Sequence, residues 1–250
     1  MRLHRLLAAA ALAVACAGLH AQDLSTVCHA TSSYDLTVRP DQLIFDRAAP
    51  APTRVVLGNG VLITDGQQVA LNDEEQDRLA LFQQDLRALM PRVKAVAQRG
   101  VDVTMQAVRE ESGSLNLDPD TRAELDNRLA TDAADLHQRI AASQSTHDWR
   151  GDAANQYANR VIGDVAPLLA SALGQQAVNA ALSGDLQQAA ELRDRASNLA
   201  SGFQPRLQRR LQVLRPQIQA LCPDIQRLSE LQQGIRGSNG RWLNLLQIGQ

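Results

Sequence analysis

Residues 61–75 read VLITDGQQVALNDEE, and this stretch marks the change from strands to helices. Two short runs of strand-forming residues flank Asp65-Gly66, a pair that suits a tight hairpin turn because both of its central positions need a positive φ. Asn72 has the side chain of a helix N-cap, and Glu75 follows three residues later, as in a capping box. The stretch therefore predicts a strand, a turn, a second strand and the start of a long helix.

A small antiparallel sheet is predicted around and before this junction. Short runs of strand formers alternate with turn residues, and Asn59-Gly60 is a second hairpin signal. Pro40, Pro50 and Pro52 mark edges or loops, because proline cannot donate a ladder hydrogen bond. We expect three to five strands, which need a helix to pack against in order to be stable. The runs are Tyr34 to Val38, Gln42 to Phe45, Arg54 to Leu57, Val61 to Thr64 and Gln67 to Leu71.

Helices are predicted for most of the chain after Asn72. Apolar residues follow it in alternating steps of three and four, a heptad-like stripe, and Pro91 within the stripe predicts a kink or a division in two. Further helical segments are expected from Asp118-Pro119, from Ala153 to Leu182 and from about Asp185 to Gln233. Prolines at positions 205, 216 and 223 indicate that the last segment is not one straight helix. The first stripe consists of Leu79, Phe82, Leu86, Leu89, Val93 and Val96.

The predicted fold is α+β and mainly α, with a small N-terminal antiparallel β-meander followed by an elongated helical bundle with coiled-coil-like stripes. Aromatic residues make up only 3% of the chain, which favours closely packed helices rich in Leu and Ala. The expected boundaries are a signal peptide at 1–21, the β region at 22–72, the helical bundle at 73–235 and a Gly-linked apolar tail at 236–250.

The N-terminus is typical of a secretory signal peptide. Arg2 and Arg5 form a positive region, Leu6 to Ala17 is apolar, and Leu19-His20-Ala21 is an acceptable cleavage site. The apolar stretch is too short to cross a bilayer of roughly 30 Å as a helix. We therefore expect a periplasmic protein, and the alternative is a lipoprotein anchored through Cys16.

Charge and cysteine usage narrow the class of protein further. The formal net charge of −2 becomes two units more negative once Arg2 and Arg5 are removed, which argues against a nucleic-acid partner. Cys28 and Cys222 remain after cleavage, and an even pair in an oxidising compartment predicts a disulfide, with two free thiols as the alternative. A loop this long would stabilise the fold by at most about 5 kcal/mol in the chain-entropy model.

The order of these features resembles the YggN-like proteins of Gram-negative bacteria, an exported family classed as a domain of unknown function. The resemblance covers most of the mature chain and rests on Cys28, on the residues from Val61 to Gly66, on Leu71-Asn72 before a long helix, and on Cys222 in a late helix. Its most specific part runs from Ile63 to Asn72. The resemblance implies a periplasmic helical protein with an N-terminal β element, and it brings no catalytic residues.

No catalytic, cofactor-binding or metal-binding residues are predicted. The histidines that remain after cleavage are His29, His137 and His147, and they lack the i, i+4 spacing of a helical zinc site. Ser145, His147 and Asp148 have the residue types of a hydrolase triad, but neighbours in one loop rarely adopt triad geometry. The chain also has no G-x-S-x-G nucleophile elbow. An enzyme is therefore the less favoured class.

The C-terminal tail is the predicted partner-contact segment. It follows a Gly-Ser-Asn-Gly segment, and it either docks on its own domain or contacts a partner or a membrane surface. Its candidate contact residues are Trp242, Leu243, Leu245, Leu246 and Ile248.

These features predict a non-enzymatic periplasmic protein that acts by binding or in a chaperone-like role in the envelope. The alternatives are an envelope hydrolase with an unrecognised site and a small-ligand or lipid carrier. The expected partner is an envelope protein or a second copy of the chain, and peripheral membrane contact is a further alternative. We expect no cofactor, no nucleic acid and no transmembrane span once the signal is removed.

Overall fold

The computed structural model describes residues 25–113, 115–149 and 152–249. The predicted signal peptide and Cys16 lie outside the described residues. Two units divide the chain: a sheet unit, formed by residues 25–97, 141–149 and 215–249, and a helical unit, formed by residues 98–140 and 152–214. The fold is α+β and mainly α, as the sequence predicts.

Five strands of the sheet unit form an antiparallel meander in which each strand pairs with the next along the chain. The sequence prediction of three to five such strands is confirmed. Asn59 and Gly60 have φ values of 52° and 74°, and Asp65 and Gly66 have 48° and 81°, so both dipeptides occupy the left-handed region that tight hairpins require. The strands are β2 (Asp35–Val38), β3 (Gln42–Asp46), β4 (Arg54–Gly58), β5 (Val61–Thr64) and β6 (Gln67–Val69); β1 (Ala30–Thr31) and β7 (Gln247–Ile248) form a separate pair.

One face of the meander is buried, because side chains alternate between the two faces along each strand. Leu43 and Phe45 of β3 are buried on this face. The ring centroid of Phe45 lies 6.2 Å from that of Phe82, which belongs to the first long helix. The sheet therefore packs against a helix, as expected. Buried apolar residues on the other two inner strands are Val55, Leu57 and Leu62, and those on the part of the helix in the sheet unit are Leu79, Phe82, Leu86 and Leu89.

Six α-helices longer than one turn are described after the meander. The first is one continuous helix through Pro91, so of the two outcomes expected there, a kink or a division, the division does not occur. Proline removes one backbone hydrogen bond, and the buried Leu86 and Leu89 hold the preceding turns in place. The last predicted helical segment is broken into pieces, as its prolines indicate, and two of the pieces begin next to Pro216 and Pro223. The helices are α1 (Asp73–Gly113), α2 (Pro119–Ala142), α3 (Asp152–Leu182), α4 (Leu186–Leu211), α5 (Arg215–Gln219) and α6 (Cys222–Leu231).

The exposed edge of β2 is covered by the segment after α2, which contains a short 3-10 helix at Thr146–Trp149. The backbone N–H of Val38 donates to the carbonyl of Gln144 at 2.8 Å, and that of Leu36 donates to the Thr146 hydroxyl at 2.8 Å. Unpaired strand edges attract other chains, so this cover protects the sheet from edge-to-edge association.

The start of α1 is a complete capping box, as predicted. The backbone N–H of Glu75 donates to Asn72 Oδ1 at 2.9 Å, and the backbone N–H of Asn72 donates to Glu75 Oε2 at 3.0 Å. Two of the N–H groups that a helix start leaves unpaired are thus satisfied by side chains.

We predict that Asn72→Ala lowers the free energy of unfolding by about 1 kcal/mol, because the substitution removes the capping acceptor. Urea unfolding followed by circular dichroism measures this change. Asn72→Ser is the matched control, since serine is also a good cap and should retain most of the stability. Equal losses in the two variants would show that the cap is not the cause.

Candidate binding site at the C-terminal tail

The C-terminal tail is folded against the sheet unit. Its strand β7 pairs antiparallel with β1, so that Ala30 lies opposite Ile248, and the N–H of Gly249 donates to the carbonyl of His29 at 2.7 Å. Leu243 and Leu245 are buried, whereas Trp242 is 48% exposed. Two of the five predicted contact residues therefore belong to the core of this unit, and Trp242 is left on its surface.

A buried glutamine holds the backbone of the tail. Gln232 Oε1 accepts hydrogen bonds from the N–H groups of Leu245 at 2.7 Å and Leu246 at 3.2 Å, and its Nε2 donates to the carbonyl of Leu246. Buried backbone groups need such partners, because an unpaired one is costly. No pattern in the sequence distinguishes Gln232 from the neighbouring Gln233, so this role could not be predicted.

The glycine-containing segment before the tail is a hydrogen-bonded turn. The N–H of Gly240 donates to the carbonyl of Gly237, and the N–H of Gly237 donates to the carbonyl of Arg241, both at 2.9 Å. The N–H of Ser238 donates to the hydroxyl of Thr64 at 2.8 Å, and Thr64 is fully buried on β5. The turn is thereby attached to the sheet.

Cys28 and Cys222, the predicted pair, form a disulfide. Cys28 lies two residues before β1, and Cys222 is the first residue of α6. The bond links the beginning of the sheet unit to the helix that leads into the tail. It therefore anchors β1, the strand on which β7 is paired.

An open cleft of about 450 Å³ lies between the tail and the loop that joins β3 to β4. The loop contributes one cationic and two small apolar side chains, and the tail contributes two cationic, one aromatic and two amide side chains. The described lining contains no Ser, Cys, His, Asp or Glu. These side chains are Arg47, Pro50 and Ala51 from the loop, and Arg236, Arg241, Trp242, Asn244 and Gln247 from the tail.

Two of the cleft arginines are held by aromatic rings. The guanidinium of Arg236 lies 3.7 Å from the ring centroid of Trp242, and its Nη1 donates to the carbonyl of Gly240 at 2.8 Å. The guanidinium of Arg47 lies 4.3 Å from the ring of Tyr34, and its Nε donates to the carbonyl of Pro52 at 3.0 Å. Burial raises the pKa of the Tyr34 hydroxyl more than the nearby Arg47 lowers it, which keeps the phenol in its neutral form. Cation–π contacts of this kind fix the position of a long side chain.

The cleft carries net positive charge. Among the described residues, no carboxylate forms an ion pair with Arg47, Arg236 or Arg241. Asp65 is close enough for Arg47 to contribute to its lowered pKa, but the hydrogen bond from the Arg54 N–H is the main cause. From residue 231 to the end of the chain, the only charged side chains are those of Arg236 and Arg241. Such a surface suits an anionic ligand.

The described histidines on α2 and in the segment that follows it are not grouped as metal ligands. His137 Nε2 lies 3.0 Å from Asp102 Oδ1, and His147 Nδ1 lies 3.5 Å from Asp35 Oδ2, so each faces a single carboxylate. Within the described part of the chain, no group of three or more His, Cys, Asp and Glu side chains could hold a metal ion.

The Ser145, His147 and Asp148 segment serves the cover over β2. Asp148 Oδ2 accepts from the Ser143 hydroxyl at 3.2 Å and from the N–H of Ser145 at 3.3 Å. The Ser145 hydroxyl accepts from the N–H of His147 at 3.1 Å and from the Thr37 hydroxyl at 3.2 Å. These contacts cap a short helix and hold it on the strand, and they do not align a serine, a histidine and an aspartate in series.

The helical unit contains one buried acid that the sequence does not reveal. Asp132 on α2 is 7% exposed. Burial is the main cause of its raised pKa, the nearby Asp164 and Asp135 raise it further, and Arg160 opposes the shift. Asp135 itself pairs with Arg139 at 2.9 Å and with Arg160 at 3.6 Å. The surroundings of Asp132 therefore favour the protonated form of its carboxyl group over the carboxylate.

We predict that Asp132→Asn raises the melting temperature at pH 7. The folded state has the higher Asp132 pKa, so the wild-type chain is penalised at pH values above that pKa, where it must fold around a charged carboxylate. The wild type gains stability relative to the variant as the pH falls through the folded-state pKa. The difference in melting temperature disappears once Asp132 is protonated in both the folded and the unfolded chain.

Thermal melts of the two chains across a pH series measure this difference. Asp194→Asn, on the exposed surface of α4, is the matched control and should show no such pH-dependent gap. An Asp132→Asn variant that melts below the wild type at pH 7 would contradict the prediction.

The structure thus defines an α+β protein with a cationic, aromatic-lined cleft and no nucleophile in the described lining of that cleft. A family described as "Protein of unknown function (DUF2884)" matches residues 28–238, and the chain belongs to this family. The matched range begins at Cys28 and ends in the turn before Trp242, so most of the tail side of the cleft lies beyond it. No curated protein and no solved structure matches the chain. Among the described helices, none combines the length and apolar character that crossing a membrane requires.

Proposed function

We propose that this chain is a non-enzymatic periplasmic protein that binds another component of the cell envelope through the tail cleft. The observation that carries the proposal is the cleft itself, in which arginines without a described ion-pair partner stand beside a half-exposed tryptophan. Aromatic and arginine side chains are the residues that most often dominate binding energy at protein interfaces.

The chemistry of the lining supports binding over catalysis. Guanidinium and amide groups donate hydrogen bonds, but hydrolysis also requires a nucleophile or an acid and base pair, and the described lining supplies none. A lipid carrier would need an enclosed apolar cavity. The tail cleft is open and cationic, so it fits that alternative poorly.

Export is part of the proposal. The basic and apolar residues at the N-terminus support it, and the Cys28–Cys222 disulfide suits an oxidising compartment. We also propose that the chain is a relative of the YggN-like exported proteins. Cleavage after Ala21 leaves a soluble chain, and lipidation of Cys16 is the alternative processing route.

Site-specific photo-crosslinking in intact cells tests this function. A photoreactive phenylalanine analogue at Gln247, an exposed residue of β7 that lines the cleft, should give discrete adducts with an envelope component. The same analogue at Gln68, an exposed residue of β6 outside the lining, is the matched control and should give none.

The adducts should be lost when Arg236→Ala and Arg241→Ala are combined with the analogue at Gln247, because both cleft charges of the tail are then absent. Adducts of equal yield at Gln247 and Gln68, or adducts that persist in the double alanine variant, would contradict a role for the cleft.

A further inference from the structure

We infer that the tail cleft recognises a short, extended, acidic segment of a polypeptide. This inference rests on the proposed function and specifies the class of partner. It is drawn from four properties of the cleft: its charge, an amide side chain, its apolar wall and its size.

The charge of the cleft calls for carboxylates. Arg236 and Arg241 are the two tail arginines, and among the described residues neither has an ion-pair partner. The guanidinium group is planar and matches a carboxylate through two parallel hydrogen bonds. Asp and Glu side chains supply carboxylates with this geometry, and neighbouring acids on one peptide can reach neighbouring arginines.

An amide side chain distinguishes a peptide from other anions. Asn244 lines the cleft, and its side chain has both a donor and an acceptor group. Peptide backbones also present donors and acceptors together. Ionised phosphates, whether free or in a lipid headgroup, present mainly acceptors and would pair only with the amide N–H groups, leaving the amide oxygen of Asn244 to water.

The apolar wall accommodates side chains between the acidic ones. Pro50 and Ala51 are exposed on the loop side, and Trp242 is half-exposed on the tail side. A small apolar side chain placed between them would remove part of the tryptophan ring from water, which is favourable. The preferred segment therefore mixes acidic residues with small apolar residues.

The size and rigidity of the cleft suit a few residues of extended chain. Its volume of about 450 Å³ lies within the range of roughly 300–1,000 Å³ that is usual for small-ligand sites. Arg236 is already held by Trp242 and Gly240, so binding has less side-chain freedom to restrict. The cleft is thus prepared for a peptide segment and is too small for a folded domain.

Tryptophan fluorescence tests this inference directly. The chain has two tryptophans, Trp149 and Trp242. Trp149→Phe leaves Trp242 as the single reporter, and Trp149 lies outside the cleft lining. A capped synthetic peptide of alternating Glu and Ala should change the emission of Trp242 saturably, and the affinity should fall as salt is added. If the Trp149→Phe variant fails to fold, the fluorescence anisotropy of a labelled peptide measures the same affinity with the unsubstituted chain.

Substitutions of single arginines identify the residues that bind the acidic peptide. Arg236→Ala and Arg241→Ala should each weaken the Glu and Ala peptide about tenfold or more, the loss expected for a hydrogen bond to a charged group. Arg236→Lys should be intermediate, because lysine keeps the charge and loses the planar fork. Arg39→Ala is the matched control: it removes one exposed arginine from the same unit outside the cleft, and it should leave affinity unchanged.

Two results would overturn the inference. One is equal binding of a capped peptide of alternating Gln and Ala, which would show that carboxylates are not recognised. The other is binding of inorganic phosphate, or of vesicles of anionic phospholipid, by a chain that ignores the Glu and Ala peptide. If either result occurs while the Gln247 adducts persist in cells, the proposed function stands and the acidic peptide is the wrong class of partner. If the Glu and Ala peptide binds but no adduct forms in cells, the cleft recognises acidic peptides and the proposed function is wrong.

Discussion

A covalent bond and a strand pair join the first residues of the sheet unit to its last. Cys28 is bonded to Cys222 across 194 positions of sequence, and two residues after Cys28 the strand β1 begins to pair with β7. A cross-link over so long a loop strongly restricts the unfolded chain, which stabilises the folded one. The tail has little regular structure of its own, so its position depends on this closure and on the buried amide of Gln232.

The closure turns the end of the chain into one wall of a cleft. Burial of Leu243 and Leu245 anchors the tail, and the residues between and around them are thereby presented to solvent. The ring of Trp242 stacks against the guanidinium of Arg236, and the loop that carries Arg47 forms the opposite wall of the cleft. A chain with a formal charge of −2 in this way concentrates positive charge at one place, where electrostatic complementarity can select a partner.

Features that depend only on neighbours in sequence can be predicted from the sequence. The turns at Asn59-Gly60 and Asp65-Gly66 and the cap at Asn72 are local, because a few adjacent residues determine the backbone there. The continuity of the helix through Pro91 is not a local property, because the effect of proline depends on how firmly the flanking turns are packed. The cleft could not be foreseen, because the stacking of Arg47 on Tyr34 and of Arg236 on Trp242 follows from tertiary placement.

Hydrogen exchange of the tail amides tests most directly whether the tail is a folded wall held by the disulfide. The amides of Leu243 and Gly249, which bond to Ile235 and His29, should exchange slowly in the oxidised protein. The Cys28→Ala and Cys222→Ala double variant should lose protection in the tail and in β1 before it loses protection in strands β3, β4 and β5. Tail amides that exchange as fast as those of an unfolded chain in the oxidised protein, or protection that is unchanged in the double variant, would contradict this account.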